Sequence, residues 1–135
     1  MKLSYLLIKG LLKAGLVLSL SFHLILGQVW AKDISQERLL ALMLMSKKPL
    51  LIDVRTPEEF NDGHIPGAIN IPHTELVGKI DEIQSGKANQ VILYCRTGRR
   101  VGIAQKILVK NNFQQVDHLT GDFKAWRAKK LPENN

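Results

Sequence analysis

The sequence predicts an α/β domain whose mainly parallel sheet is covered by helices on both faces. Three observations predict it: short apolar runs such as PLLIDV at residues 49–54 and QVILY at residues 90–94, stretches of helical spacing between such runs, and turn residues that separate the two. Taken in order, Ile34 opens with a short strand, and Asp33 or Ser35 caps a helix over residues 36–45 whose apolar side chains are Leu39, Leu40, Leu42, Met43 and Leu44. Residues 49–54 form the next strand. Pro57, Glu58 and Glu59 start a second helix, because proline and acids suit a first turn, and Asn61-Asp62-Gly63 ends it. Residues 68–71 make a short strand closed by Pro72. Residues 74–83 show helical spacing at Leu76, Ile80 and Ile83, and Ser85-Gly86 is expected to break that helix. QVILY then runs into Cys95, a glycine-bearing loop and a helix with Ile103, Ile107 and Leu108 on one side. Residues 116–119 and 122–129 repeat the strand-helix pattern.

The 135 residues leave room for one ordinary core. Apolar residues make up 45% and charged residues 23%, which excludes disordered and collagen-like chains. A single cysteine excludes an intrachain disulfide framework, and with four scattered histidines it leaves no multi-cysteine zinc site. No cofactor and no metal are expected. Of the net charge of +7, Lys2, Lys9 and Lys13 supply the part in the first 31 residues, which hold no acid, so the remaining 104 carry +4. That excess favours small anions near a local cluster. Without a basic stripe or interleaved aromatics it makes no case for nucleic acid.

The lysine-bearing start and the uncharged residues 14–31, ending Val29-Trp30-Ala31, are expected to form a secretory signal cleaved after Ala31. The alternative is a retained membrane anchor, since 18 uncharged residues reach the lower limit for a spanning helix, although Ser19, Ser21, His23 and Gln28 weaken it. Either way the lysines stay inside and residues 32–135 form the exported domain, periplasmic by expectation. Contact with a membrane is expected only through residues 1–31, if they are kept.

Ligands of parallel sheets gather beyond the carboxyl ends of strands, where loops meet the starts of the following helices. Cys95 occupies such a place. In Cys95-Arg96-Thr97-Gly98-Arg99-Arg100, a thiol at a strand end precedes a turn glycine and a helix start, so successive main-chain amides can converge on sulfur. The amides, the helix start and three arginines all favour a thiolate and a sulfur-bound anion. A buried cysteine acting as a small hydrophobe is the bland alternative, but three guanidinium groups beside an inert thiol would themselves need partners.

Asp53-Val54-Arg55-Thr56-Pro57-Glu58-Glu59-Phe60, then GHIPGAINIP over residues 63–72, then the Cys95 loop and Gly121-Asp122-Phe123-Lys124-Ala125-Trp126 resemble the single-domain rhodaneses, the thiosulfate sulfurtransferases. The likeness spans nearly all of residues 32–135. It implies a five-stranded α/β domain. It also implies that Cys95 takes the outer sulfur of thiosulfate or a similar donor as a persulfide and passes it to cyanide or another thiophilic acceptor. The partners so implied are a small sulfur-containing anion and, for a relay, a protein sulfur acceptor.

In that cycle the loop amides from Arg96, Thr97 and Gly98 to Val101 cradle the sulfur, and Arg96, Arg99 and Arg100 attract the anion. Asp53 and Arg55 are expected to support the site as an ion-pair or turn network rather than to touch substrate. Glu58 and Glu59 are read as helix-dipole acids, His64 as a ring that fixes its turn, His73 and His118 as surface or core-edge residues, and Trp126 as a packing anchor. Two positions depart from the family. Many relatives have serine at Val101, and the usual second glycine before the final aromatic motif is here Asp122, which is expected to cap the last helix.

Three other readings remain open on the residues alone. A cysteine phosphatase or arsenate reductase also uses an amide-lined loop, but a CxxxxxR signature would require arginine at the position of Val101. A non-catalytic binding module would keep the scaffold without turnover. A persulfide carrier fits an exported lone thiol that has no intramolecular resolving partner.

Overall fold

The computed structural model describes residues 32–135, so the expected signal segment lies outside the described residues. Five strands, β1 (Asp33–Ile34), β2 (Leu50–Asp53), β3 (Ile69–Asn70), β4 (Gln90–Tyr94) and β5 (Gln115–Leu119), form one sheet in the order β1-β5-β4-β2-β3. Every pairing in it is parallel, with Ile52 opposite Leu93 and Leu93 opposite His118. The helices are α1 (Gln36–Met43), α2 (Pro57–Asn61), α3 (Arg99–Lys110) and α4 (Asp122–Ala128).

Strand alternation divides the core in two. Val91 and Leu93 of β4 face one cluster with Val101, Ala104 and Leu108 of α3, whereas Ile92 and Tyr94 face the other with Leu39 and Leu42 of α1 and Phe123 and Trp126 of α4. A sheet buried on both faces explains why QVILY shows no polar alternation. Trp126 is fully buried, and its Nε1 donates to Pro132 O at 2.8 Å, so it anchors α4 as its size suggests.

Three local expectations are corrected. The helix read over residues 74–83 is a 3-10 helix, Leu76–Ala88, kinked at Ile83, and Ser85-Gly86 lies inside it. Its apolar residues Leu76, Ile80 and Ile83 are buried as their spacing suggests, and Gly86 admits Leu50 and Phe113 so closely that a Cβ would lie 2.8 Å from Leu50 Cδ2. On α3 the buried side chains are Val101, Ala104 and Leu108, and Ile103 is exposed on the far side. α1 ends at Met43 rather than at residue 45, and Leu44 and Met45 are exposed.

Candidate active site

The carboxyl ends of β2 and β4 lie side by side, with Asp53 opposite Tyr94, and this register brings Asp53, Arg55 and Cys95 to one edge of the sheet. Val54 N–H donates to Tyr94 O and Ile71 N–H to Asp53 O, extending the ladder just beyond the strands. Asp53 and Arg55 are both buried and bind each other. Arg55 Nε and Nη2 donate to the Asp53 carboxylate at 2.6 to 3.0 Å, and Nη2 also donates to Gly63 O at 2.7 Å. The guanidinium lies 4.1 Å from the Phe123 ring centroid, a cation–π contact that ties β2 to α4. Tyr94 closes the network by accepting Ile65 N–H at its hydroxyl, and burial, with the Asp53 charge beside it, holds that phenol firmly neutral.

Cys95 follows β4 directly and is buried at 1% exposure. Gly98 N–H donates to its Sγ at 3.0 Å. That geometry needs Gly98 at φ 95°, in the left-handed region where an L side chain is strained. Gly98 is the N-cap of α3, so of the loop amides read as a cradle, from Arg96 to Val101, the one bonded to the sulfur is that at the helix start. The start of α4 holds the loop from the other side. Phe123 N–H donates to Cys95 O at 3.0 Å, Lys124 N–H to Arg96 O at 3.3 Å, and the Asp122 carboxylate accepts Cys95 N–H at 2.8 Å.

The arginines separate. Arg100 Nη1 and Nη2 hold the Glu59 carboxylate bidentately at 2.5 and 2.9 Å. This contact, more than any other, raises the guanidinium above its ordinary value, and Cys95 adds a smaller rise. Arg96, Thr97 and Arg99 are exposed, while the Val101 side chain is buried in the core. A cleft of about 410 Å³ runs beside the loop between Arg55, Glu59, Arg96, Phe123, Lys124 and Arg127. Among the described residues, Arg96 and Lys124 form no ion pair, so both cations face this cleft unneutralised. No group of three or more metal-ligating side chains occurs among the described residues.

His64 fixes its turn through Nδ1 to Phe60 O at 3.0 Å and a ring stack on Phe60 at 3.7 Å. Three residues do more than their sequence reading assigned. Glu59 joins a capping box with Thr56 and also binds Arg100. Asp122 does not cap α4, whose N-cap is Gly121 with no side-chain bond; its carboxylate turns instead to Cys95 and to His118 Nε2. His118 is half-buried between two carboxylates rather than at an idle edge. The departure from glycine at Asp122 was the one signal in the chain that pointed to this arrangement.

Comparison with known proteins agrees with this architecture. The profile of the rhodanese-like domain matches residues 35–129. Uncharacterized protein YqhL of Bacillus subtilis is 45% identical over 83 residues, spanning 62% of this chain and 64% of its own. Thiosulfate sulfurtransferase PspE of Escherichia coli is 38% identical over 88 residues, spanning 62% of this chain and 85% of PspE. Among solved structures, the Alr3790 protein from Anabaena has a TM-score of 0.67 at 27% identity, covering 76% of this chain and 82% of that one. With an all-parallel five-stranded sheet and its lone cysteine in the loop between β4 and α3, the chain belongs to the rhodanese-like domain family.

Proposed function

We propose that this protein is a sulfurtransferase that moves a sulfane sulfur from thiosulfate or a similar anion to a thiophilic acceptor through a persulfide on Cys95. The observation that carries this reading is the Gly98 N–H directed at Cys95 Sγ at 3.0 Å, at the start of α3. An amide aimed at a sulfur at the start of a helix stabilises negative charge there and does nothing for a packed thiol. The likeness to a relative named thiosulfate sulfurtransferase supports the same reading.

In the first half-reaction the thiolate attacks the outer sulfur of thiosulfate. The donor's S–S bond breaks, sulfite leaves with the electron pair, and Cys95 carries the anionic persulfide. In the second, cyanide or an acceptor thiolate attacks the terminal sulfur and the electron pair returns to Cys95. Arg96 and Lys124, unpaired at the cleft beside the loop, supply the field that draws the dianion in. Arg100, tethered by Glu59, offers a fixed charge near the sulfur rather than a mobile arm. Asp53 and Arg55 act from behind by holding the carboxyl ends of β2 and β4 in place. The sulfur acceptor in the cell is a small thiophile or a protein thiol. Export to the periplasm through residues 1–31 is part of the same proposal, and it rests on the lysine start and the uncharged run that follows.

Intact-mass measurement tests the reading. The folded protein is expected to gain one sulfur atom from thiosulfate, lose it on cyanide addition, and gain nothing as Cys95→Ser. A well-folded protein that forms no adduct with thiosulfate would reject it.

A further inference from the structure

Asp122 and His118 make an arrangement that helix formation alone does not require. Asp122 opens α4 at φ 54°, a left-handed conformation that non-glycine residues seldom adopt. Its two oxygens are divided: Oδ1 accepts Cys95 N–H at 2.8 Å and Oδ2 meets His118 Nε2 at 2.9 Å. On the other side of the ring, His118 Nδ1 meets Asp33 Oδ1 at 3.2 Å. A neutral imidazole has one N–H and serves one carboxylate, whereas an imidazolium serves both. The pair also lies against the residue that faces the sulfur. A Cβ placed on Gly98 would stand 3.3 Å from Asp122 Oδ2 and 3.4 Å from His118 Cε1. Asp122 therefore binds the Cys95 end of the short loop that frames Sγ, and both side chains stand beside its Gly98 end.

We propose that His118 and Asp122 are positioning residues of the Cys95 site, an imidazolium–carboxylate pair that clamps the loop from behind and keeps the Asp122 charge balanced beneath the sulfur. The proposal deepens the sulfurtransferase reading and rests on it insofar as that reading requires an anionic Cys95. An unbalanced Asp122 would oppose that anion, and a balanced one does not. The groups facing the ring are Asp122 from α4 and Asp33 from β1, while β4 presents Leu93 as its register partner. The hydrogen bond to Asp122 raises His118 above its ordinary value, Asp33 adds to the rise, and burial opposes it. The charged pair is accordingly complete below the ordinary histidine value of 6.5 and is lost as pH rises through the raised one. Of the two carboxylates Asp33 is the exposed one, at 73%, so water can take the place of its contact with the ring.

The test is the pH profile of Cys95 alkylation by iodoacetamide in the full chain, with circular dichroism to confirm folding. His118→Asn leaves Asp122 charged and unbalanced. Its alkylation midpoint is expected to move to higher pH, with a roughly 3- to 10-fold slower rate below the midpoint, the size expected from one unscreened neighbouring charge. Asp122→Asn keeps an oxygen for the Cys95 amide and tolerates the left-handed backbone while removing the charge. Its midpoint is expected to move the opposite way, and adding His118→Asn to it is expected to change nothing further. A purely structural role would lower thermal stability or scale the rate at every pH without moving the midpoint, and that result overturns the proposal. Should Asp122→Asn fail to fold, an unmoved midpoint in folded His118→Asn overturns it alone. Alkylation does not depend on thiosulfate, so shifted midpoints without a sulfur adduct would uphold the pair and reject the sulfurtransferase reading.

Discussion

Arg55 and Asp53 lie two residues apart and are both almost wholly buried, so neither charge has a good solvent alternative to the other. Removing one partner strands the second in a medium that solvates it poorly. Arg55→Ala is expected to destabilise the domain by about 3–5 kcal/mol, read as a lower urea midpoint. Arg55→Lys is expected to recover only part of that loss, since an ammonium cannot reproduce the fork that binds Asp53 and Gly63 O together. If Arg55→Ala unfolds at the same urea concentration as the parent, the pair does not hold the carboxyl ends of β2 and β4. At this scale the chain named Cys95, Asp53 and Arg55 through local patterns: a strand end, a turn glycine and nearby charges. The Gly98 amide on its sulfur was legible in the same way, but the distant groups behind the loop were not. Asp122 lies 27 residues from Cys95 and Asp33 lies 85 from His118, separations at which no periodicity carries information.

Between elements, the Glu59–Arg100 pair links α2 to the first turn of α3 across 41 residues. Arg100 holds the Glu59 carboxyl at about 2, well below its ordinary 4.5, mainly through their hydrogen bond. A depressed value means the contribution is whole above pH 4.5 and lost as pH falls toward about 2. Urea midpoints measured across that window should fall more steeply for the parent than for Glu59→Gln; parallel curves would show that the pair does not contribute. The same element scale explains the helix that was read wrongly. The spacing of Leu76, Ile80 and Ile83 predicted which residues are buried, but not that the backbone winds as a 3-10 helix through Ser85-Gly86. A glycine often ends a helix because, with no Cβ, it takes the left-handed capping conformation at no steric cost. Here Gly86 is kept within one because Leu50 and Val91 of the sheet, and Phe113 from the segment before β5, leave no room for a side chain there. Ile103 shows the converse, an apolar residue at helical spacing left outside because α3 presents Val101, Ala104 and Leu108 to the core instead.

Across the whole molecule, the two core clusters draw on residues from Ile34 to Leu131 and lie on opposite faces of one sheet. On the reading of residues 1–31 as a removable signal, a chain beginning at Lys32 is expected to melt at the temperature of the full chain and to alkylate Cys95 at the same rate. Its new terminal amine still donates where Lys32 N–H now reaches Asp117 Oδ1 at 3.1 Å. A clearly lower melting temperature would show that residues 1–31 belong to the folded unit. Among the described residues no helix is long and apolar enough to cross a membrane. Sequence alone determined the alternation of strands and helices, the doubly buried β4 and the loop that bears Cys95, because each is written in neighbouring residues through period, turn chemistry and capping. Only the tertiary structure decided that Asp122 and His118 lie behind that loop and that Glu59 ties down Arg100. Those contacts exist because parallel strands bring distant segments to one edge, and their energies depend on the burial and charge that this meeting creates.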